Sequence, residues 1–242
     1  MTQGWLDRGS CPECGSSDGN VQHSDGHSFC FSCDTRFGEG MEHKSKVILM
    51  SEPKKYSGVE HSKMQGIIAA IPDRKITQDT VRKYNTEIKS TGSIITHHIY
   101  KYYDEEGNHT ANKIKEVQNK KFWSEGSLSK AVLFGQNIFN RGGKYITICE
   151  GEIDAMSAYE LLGSKWPVVS IKNGAASALE NCKQSFEYLN KFDNVVLCFD
   201  NDKPGREASQ KVAQLFEPNK CKIISLELKD ANEYLKFNKR EK

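Results

Sequence analysis

The 242-residue sequence has no apolar run near the roughly 18 residues a membrane-crossing helix requires. Its opening stretch, MTQGWLDRGS, lacks the basic-then-apolar profile of an export signal. Both absences point to the cytoplasm, that of a host cell if the source is viral, with no membrane partner. Net charge is almost absent as well: 34 Lys and Arg against 32 Asp and Glu leave +2. Any attraction for nucleic acid must therefore come from local patches. Internal repeats and low-complexity tracts are missing, which excludes solenoids and arrays. So is a P-loop of the form G-x-x-x-x-G-K-[ST], because NRGGKY at 140–145 does not fit it.

The composition, 37% hydrophobic and 27% charged, is that of a globular protein with room for one large domain or two small ones. Its eight cysteines fall into two groups. Cys149, Cys182, Cys198 and Cys221 are scattered, and two of them lie inside apolar, strand-like runs, as reduced core thiols do. Cys11, Cys14, Cys30 and Cys33 instead form C-x2-C-x15-C-x2-C. Two such turns present four thiolates to one tetrahedral ion, and sulfur ligation of this kind suits zinc. A rubredoxin-type iron site uses the same knuckle and is the rival reading. Metal binding would supply folding energy to a segment too short for much core. Residues 1–37 carry two arginines against five acids, a net −3, so this module is a poor clamp for phosphate. If it meets nucleic acid, it should read base edges through groups such as Asp25, His27 and Phe29. The alternative is a folding staple with those side chains in solvent.

Residues 38–62 are polar, with Gly, Pro and Ser, and read as a linker. Beyond them, 76–85 has the pattern of a short helix capped by Thr77, and 93–116 that of a β-hairpin turning at DEEGN. From Tyr145 the pattern alternates: strand 145–150, helix 152–162, strand 167–171, helix 176–190, strand 194–199, helix 206–216, strand 220–226. Alternation of this kind predicts an α/β fold, a parallel sheet with helices on both faces. An α+β hairpin subdomain over 63–143 precedes it, and the sheet occupies 144–242.

Acids gather at the expected carboxyl ends of three strands: Glu150 with Glu152 and Asp154, then Asp200 and Asp202, then Asp230. In such sheets ligands bind beyond those ends. A hard oxygen-ligand site for Mg²⁺ or Mn²⁺ explains the crowding of like charges. Taken singly, each acid is equally a solvated loop residue or a helix cap, Asp202 before Pro204 and Gly205 above all. Between 112 and 121, Lys113, Lys115, Lys120 and Lys121 stand against Glu116 alone. Lys113 and Lys115 share one face of the strand. This strip either complements phosphates or is an ordinary solvated hairpin face.

The stretches EGEIDAMSA, FDNDKPGREA and KDANEYL resemble the three signatures of the toprim fold, shared by bacterial-type primases, topoisomerases and some nucleases. Together with the four-cysteine ribbon and SIKNGAAS, nearly the whole span from Cys11 to Tyr234 resembles the primase half of bacteriophage T7-type primase–helicases. That resemblance implies divalent metals held by Glu150, Asp200, Asp202 and Asp230, and nucleotide or primer binding by Lys113 and Lys120. An extra residue between the family's two hairpin lysines makes Lys121 an alternative to Lys120. The resemblance also places Asp25 and His27 where the ribbon reads a short template sequence. It implies an enzyme that makes RNA primers on single-stranded DNA from ribonucleoside triphosphates, serving a replicative helicase and a DNA polymerase. Lacking the family's P-loop motor, the chain reads as a stand-alone primase or as part of a longer protein. A toprim-type nuclease and a non-catalytic single-stranded DNA adaptor are the competing readings.

Overall fold

In the computed structural model, residues 5–13, 16, 20–23, 26–30, 35–38, 64–139 and 141–238 are described. The chain divides into two units, Met1–Val59 and Glu60–Lys242. In the first, strands β1 (Trp5–Gly9), β2 (Asn20–His23), β3 (Ser28–Cys30) and β4 (Thr35–Phe37) form an antiparallel sheet in that order. Val21 lies opposite Arg8 on one side and Phe29 on the other. Cys11 follows β1 and Cys30 ends β3, so the predicted cysteine pairs begin at strand ends. Both thiols are buried, and among the described residues of this unit Val21 is the other buried apolar side chain. Cys14, Cys33 and Asp25 lie outside the described residues, as does nearly all of 38–62.

The second unit opens with helix α1 (Gln78–Lys83), whose N-cap is the predicted Thr77; its hydroxyl accepts the Thr80 N–H. Strands β5 (Glu87–Thr91), β6 (Ile94–Tyr103), β7 (His109–Glu116) and β8 (Phe122–Gly126) then form a second antiparallel sheet in chain order. The predicted hairpin is β6–β7, and its turn is held by Asp104, whose Oδ1 accepts the Asn108 N–H at 2.7 Å. Strands β5 and β8 escape the sequence reading because EIKST and FWSEG are short and mostly exposed, which blurs the period of two.

A parallel sheet follows. Its strands β9 (Gly143–Cys149), β10 (Val168–Ser170), β11 (Phe192–Cys198) and β12 (Cys221–Ile223) lie in the order β10-β9-β11-β12. Helices α2 (Glu152–Leu161), α3 (Ala178–Gln184), α4 (Phe186–Leu189), α5 (Lys203–Ala213) and α6 (Ala231–Asn238) connect and flank it. Alternate residues of the strands divide between two cores. Ile146, Ile148, Val195 and Leu197 pack with Cys182, Leu189, Ala208 and Val212 of α3 to α5. Cys149, Val168 and Cys198 pack with Ile153, Met156, Tyr159 and Leu235 of α2 and α6. Helices thus cover both faces, as expected.

The second core also contains Tyr84, Tyr100, Tyr102, Ala111 and Phe134, so the antiparallel sheet and the parallel sheet share one apolar interior. Tyr84 ties them: its ring stacks on Phe134 at 5.3 Å and its hydroxyl donates to the Val168 carbonyl at 2.8 Å. Three elements depart furthest from the sequence reading. The helix expected over 176–190 breaks at Ser185 into α3 and α4. The helix expected from 206 begins at Lys203, because Asp202 caps it and Pro204 fits a first turn. The strand expected over 220–226 keeps three residues. Among the described residues, no helix is long and apolar enough to cross a membrane.

Candidate active site

Strands β9 and β11 are neighbours, with Cys149 opposite Cys198. Glu150 is the next residue after β9 and Asp200 the second after β11, so both acids leave the sheet at its carboxyl edge. Helix α5 starts hard against that edge. A Cβ at position 205 would stand 2.2 Å from the Asp200 carbonyl oxygen, so only glycine allows this approach. A cleft of about 410 Å³ opens here, lined by Glu150, Glu152, Asp154 and Asp200 together with Lys113 and Phe122.

The carboxylates are unequal. Glu150 Oε1 accepts the Ala175 N–H at 3.1 Å, while its Oε2 is buried with no hydrogen-bond partner. Burial, then the charges of Asp230 and Asp200, push the Asp154 carboxyl up to about 8, although its Oδ1 accepts the Asn232 N–H at 3.1 Å. Burial, then Glu150 and Asp230, raise Asp200 to about 6, against the partial relief of Lys229, whose Nζ is 3.7 Å from Asp200 Oδ2. Asp202 and Asp230 do not line the cleft. Each caps a helix: Asp202 Oδ1 accepts the Gly205 N–H at 2.9 Å, and Asp230 Oδ1 accepts the Glu233 N–H at 2.8 Å. Their charges still reach Asp200. The two roles that the sequence set against each other, cap and site acid, are compatible.

Of the predicted lysines, Lys113 enters the cleft. Its Nζ pairs with Glu152 Oε1 at 2.7 Å and donates to the Lys172 carbonyl at 2.6 Å. Tyr102 donates its hydroxyl to the same Glu152 oxygen at 2.6 Å. Lys120 and Lys121 are exposed in the β7–β8 turn and do not line it. His27 is half-buried just before β3. One residue and one contact were missed. Phe122 had no signal beyond its neighbouring lysines, and the anchoring of Lys113 by Glu152 joins parts of the chain too distant for any local pattern.

Among the described residues, no three Asp, Glu, His or Cys side chains already surround one metal position. The donor chemistry nevertheless suits a hard divalent cation. The groups are all oxygens, one buried carboxylate oxygen lacks a partner, and two carboxyls are raised by burial and by the charges of neighbouring carboxylates. Magnesium needs only one or two carboxylates, because water and substrate phosphates complete its shell. In the first unit, the buried Cys11 and Cys30 suit thiolate ligation, and its described residues bury little other apolar core.

Residues 147–235 match the family described as Toprim-like. The chain is 33% identical over 228 residues to the DNA helicase/primase of Enterobacteria phage T3; this covers 92% of the chain and 40% of that protein. It thus spans about two-fifths of the curated relative's length. The crystal structure of the primase fragment of the bacteriophage T7 primase-helicase superposes with a TM-score of 0.66 at 34% identity, covering 98% of each chain. A further match has a TM-score of 0.64 and 35% identity over 73% of this chain and 89% of the other. It comes from a bacteriophage T7 assembly in which a lagging-strand DNA polymerase interacts with primase domains bound to an RNA/DNA hybrid and dTTP. With the acids of a toprim sheet beneath a lysine-bearing antiparallel sheet, and with this likeness over nearly its full length, the chain belongs to the T7-type primase–helicase family, as its primase half.

Proposed function

We propose that this chain is a DNA primase that joins ribonucleotides into short RNA primers on single-stranded DNA. The observation that carries the proposal is the cleft itself, where Glu150, Asp154 and Asp200 converge under Lys113 in a chain of this family. Glu150, Asp200, Asp202 and Asp230 are assigned to hold divalent metal, Mg²⁺ or Mn²⁺. A divalent ion bound there supplies charge stabilisation for the triphosphate and acidifies the attacking 3′-hydroxyl. The remaining work belongs to the protein. Lys113, fixed by Glu152 and the Lys172 carbonyl, faces the phosphates as a positioned cation. Lys120 and Lys121, free in the turn, serve the longer nucleic-acid backbone rather than the reacting phosphates. Phosphoryl transfer needs little covalent help, so positioning and charge are sufficient.

Residues 1–37 are assigned to a zinc ribbon that recognises the template start through Asp25 and His27, with Cys11, Cys14, Cys30 and Cys33 as ligands. Residues 38–62 are assigned to a tether, 63–143 to the basic half of the polymerising core, and 144–242 to its metal-binding half. A replicative helicase and a DNA polymerase are the expected partners, in the cytoplasm. The T7 assembly of polymerase and primase domains supports the second.

The test incubates the chain with Mg²⁺ or Mn²⁺, the four ribonucleotides and a single-stranded DNA library containing every trinucleotide, then sequences the products. Template-dependent short RNA that disappears in Asp200→Ala supports the reading. Cleaved DNA without RNA replaces it with a nuclease, and neither product, even with a helicase added, with an adaptor.

A further inference from the structure

Strand β8 lies at the edge of the antiparallel sheet and begins with Phe122, which is 51% exposed. An exposed phenylalanine on an edge strand costs solubility unless something covers it. The register shows where it faces. Phe122 lies opposite Lys115 and Ser124 lies opposite Lys113, so Phe122 and both lysines share one side of the sheet. On β6 the same side presents Tyr100 and Tyr102, opposite Lys113 and Ala111, and these pack into the core shared with the parallel sheet. One sheet face therefore changes character along its length. Its inner part is an apolar contact, and its outer part brings Phe122, with two lysine ammonium groups near the ring, to the cleft that the acids line. Lys113 Nζ is 5.2 Å and Lys115 Nζ 5.4 Å from the Phe122 centroid.

Resting on the nucleotide-binding reading above, we propose that Phe122 is the base-stacking platform of the cleft. A nucleoside triphosphate held by the acids and lysines would lay its nucleobase on this ring. The site pairs an anion-binding end with an aromatic face, and a purine or pyrimidine carrying phosphates needs both. Stacking uses only the π-face, which every base has, so Phe122 adds affinity without choosing among bases. It acts on a different part of the ligand from Lys113.

The test compares two ligands by titration calorimetry in Mg²⁺ without template, so that no primer forms: ATP and inorganic tripolyphosphate. Phe122→Ala should weaken ATP binding about tenfold, in the range known for loss of one stacked base, and leave tripolyphosphate within about twofold. Phe122→Trp should restore ATP affinity, and Lys113→Ala should weaken both ligands. Equal losses of ATP and tripolyphosphate in Phe122→Ala would overturn the proposal, because the ring would then only shield Lys113; no loss of either would overturn it too. Wild-type protein that binds neither ligand removes both this proposal and the primase reading. Selective loss of ATP in a chain that makes no RNA leaves the stacking platform standing and removes primer synthesis.

Discussion

Asp200 is the residue at which the proposed function and stability conflict most directly. Its carboxyl rises from the ordinary 3.8 to about 6 through burial and the charges of Glu150 and Asp230. A raised acid contributes its full stability below the unfolded value, and that stability is lost as pH climbs through about 6. At pH 8 without metal the whole penalty stands. Asp200→Asn should therefore melt higher than wild type there, by on the order of 1 kcal/mol or a few degrees, while losing activity. Added Mg²⁺ should raise the wild-type melting point more than the variant's. Identical Mg²⁺ responses would remove Asp200 from the ligand set. A second expectation shares this cause. With Asp154 at about 8 and Asp200 at about 6, a cation must displace protons. Mg²⁺ affinity should climb from pH 6 to 8, with proton release visible as buffer-dependent binding enthalpy. A flat pH profile would count against Asp200 as a ligand beside a protonated Asp154. The acids themselves were legible in the sequence, because strand ends in a parallel sheet must share one edge. The helix starts at Asp202 and Asp230 were half legible, since capping chemistry and metal chemistry favour the same residue type.

Among the elements, α5 depends on one missing side chain. Gly205→Ala would drive a Cβ into the Asp200 backbone, so α5 must shift from the strand end that carries Asp200. A cost of about 1–3 kcal/mol or more is expected in urea unfolding, with activity lost in proportion to the displacement. An unchanged midpoint would show that the edge yields freely. The antiparallel sheet carries its own acid sensitivity. Burial, then Lys115 and Arg74, lower His98 to about 3, and its Nδ1 hydrogen-bonds the Tyr100 hydroxyl. A depressed base keeps its stability above about 6.5 and loses it as pH falls toward 3, because only the unfolded chain takes up the proton. The slope should approach about 1.4 kcal/mol per pH unit and flatten in His98→Gln. The hairpin and α1 were readable from turn and cap residues. Strands β5 and β8 were not, since exposed edge strands carry weak alternation. Nor was the contact of Tyr102 with Glu152, 50 residues apart, because it exists only once two sheets have packed.

Across the whole molecule, the two units differ in what holds them together. The second has two extensive apolar cores, whereas the described part of the first buries Cys11, Cys30 and Val21. Elemental analysis should find one zinc per chain, lost in Cys30→Ser, with the main thermal transition of the second unit within a few degrees of its original position. A metal-free ribbon that keeps its secondary structure would contradict this. The doubled cysteine spacing set the first segment apart in the sequence, and the structure describes two of those cysteines, Cys11 and Cys30, both buried, while the parallel sheet of the second unit was read from the alternation of strands and helices.

Asp202 and Asp230 each have one carboxylate oxygen turned to the main chain, Gly205 N–H and Glu233 N–H respectively. On the proposed assignment of these acids to a divalent ion, each has its other oxygen to offer, and the ion must finish its shell elsewhere. Water can do that weakly, and a triphosphate can do it well. The ion and the nucleotide are then reciprocal ligands: whatever factor by which one tightens the other must be returned in full.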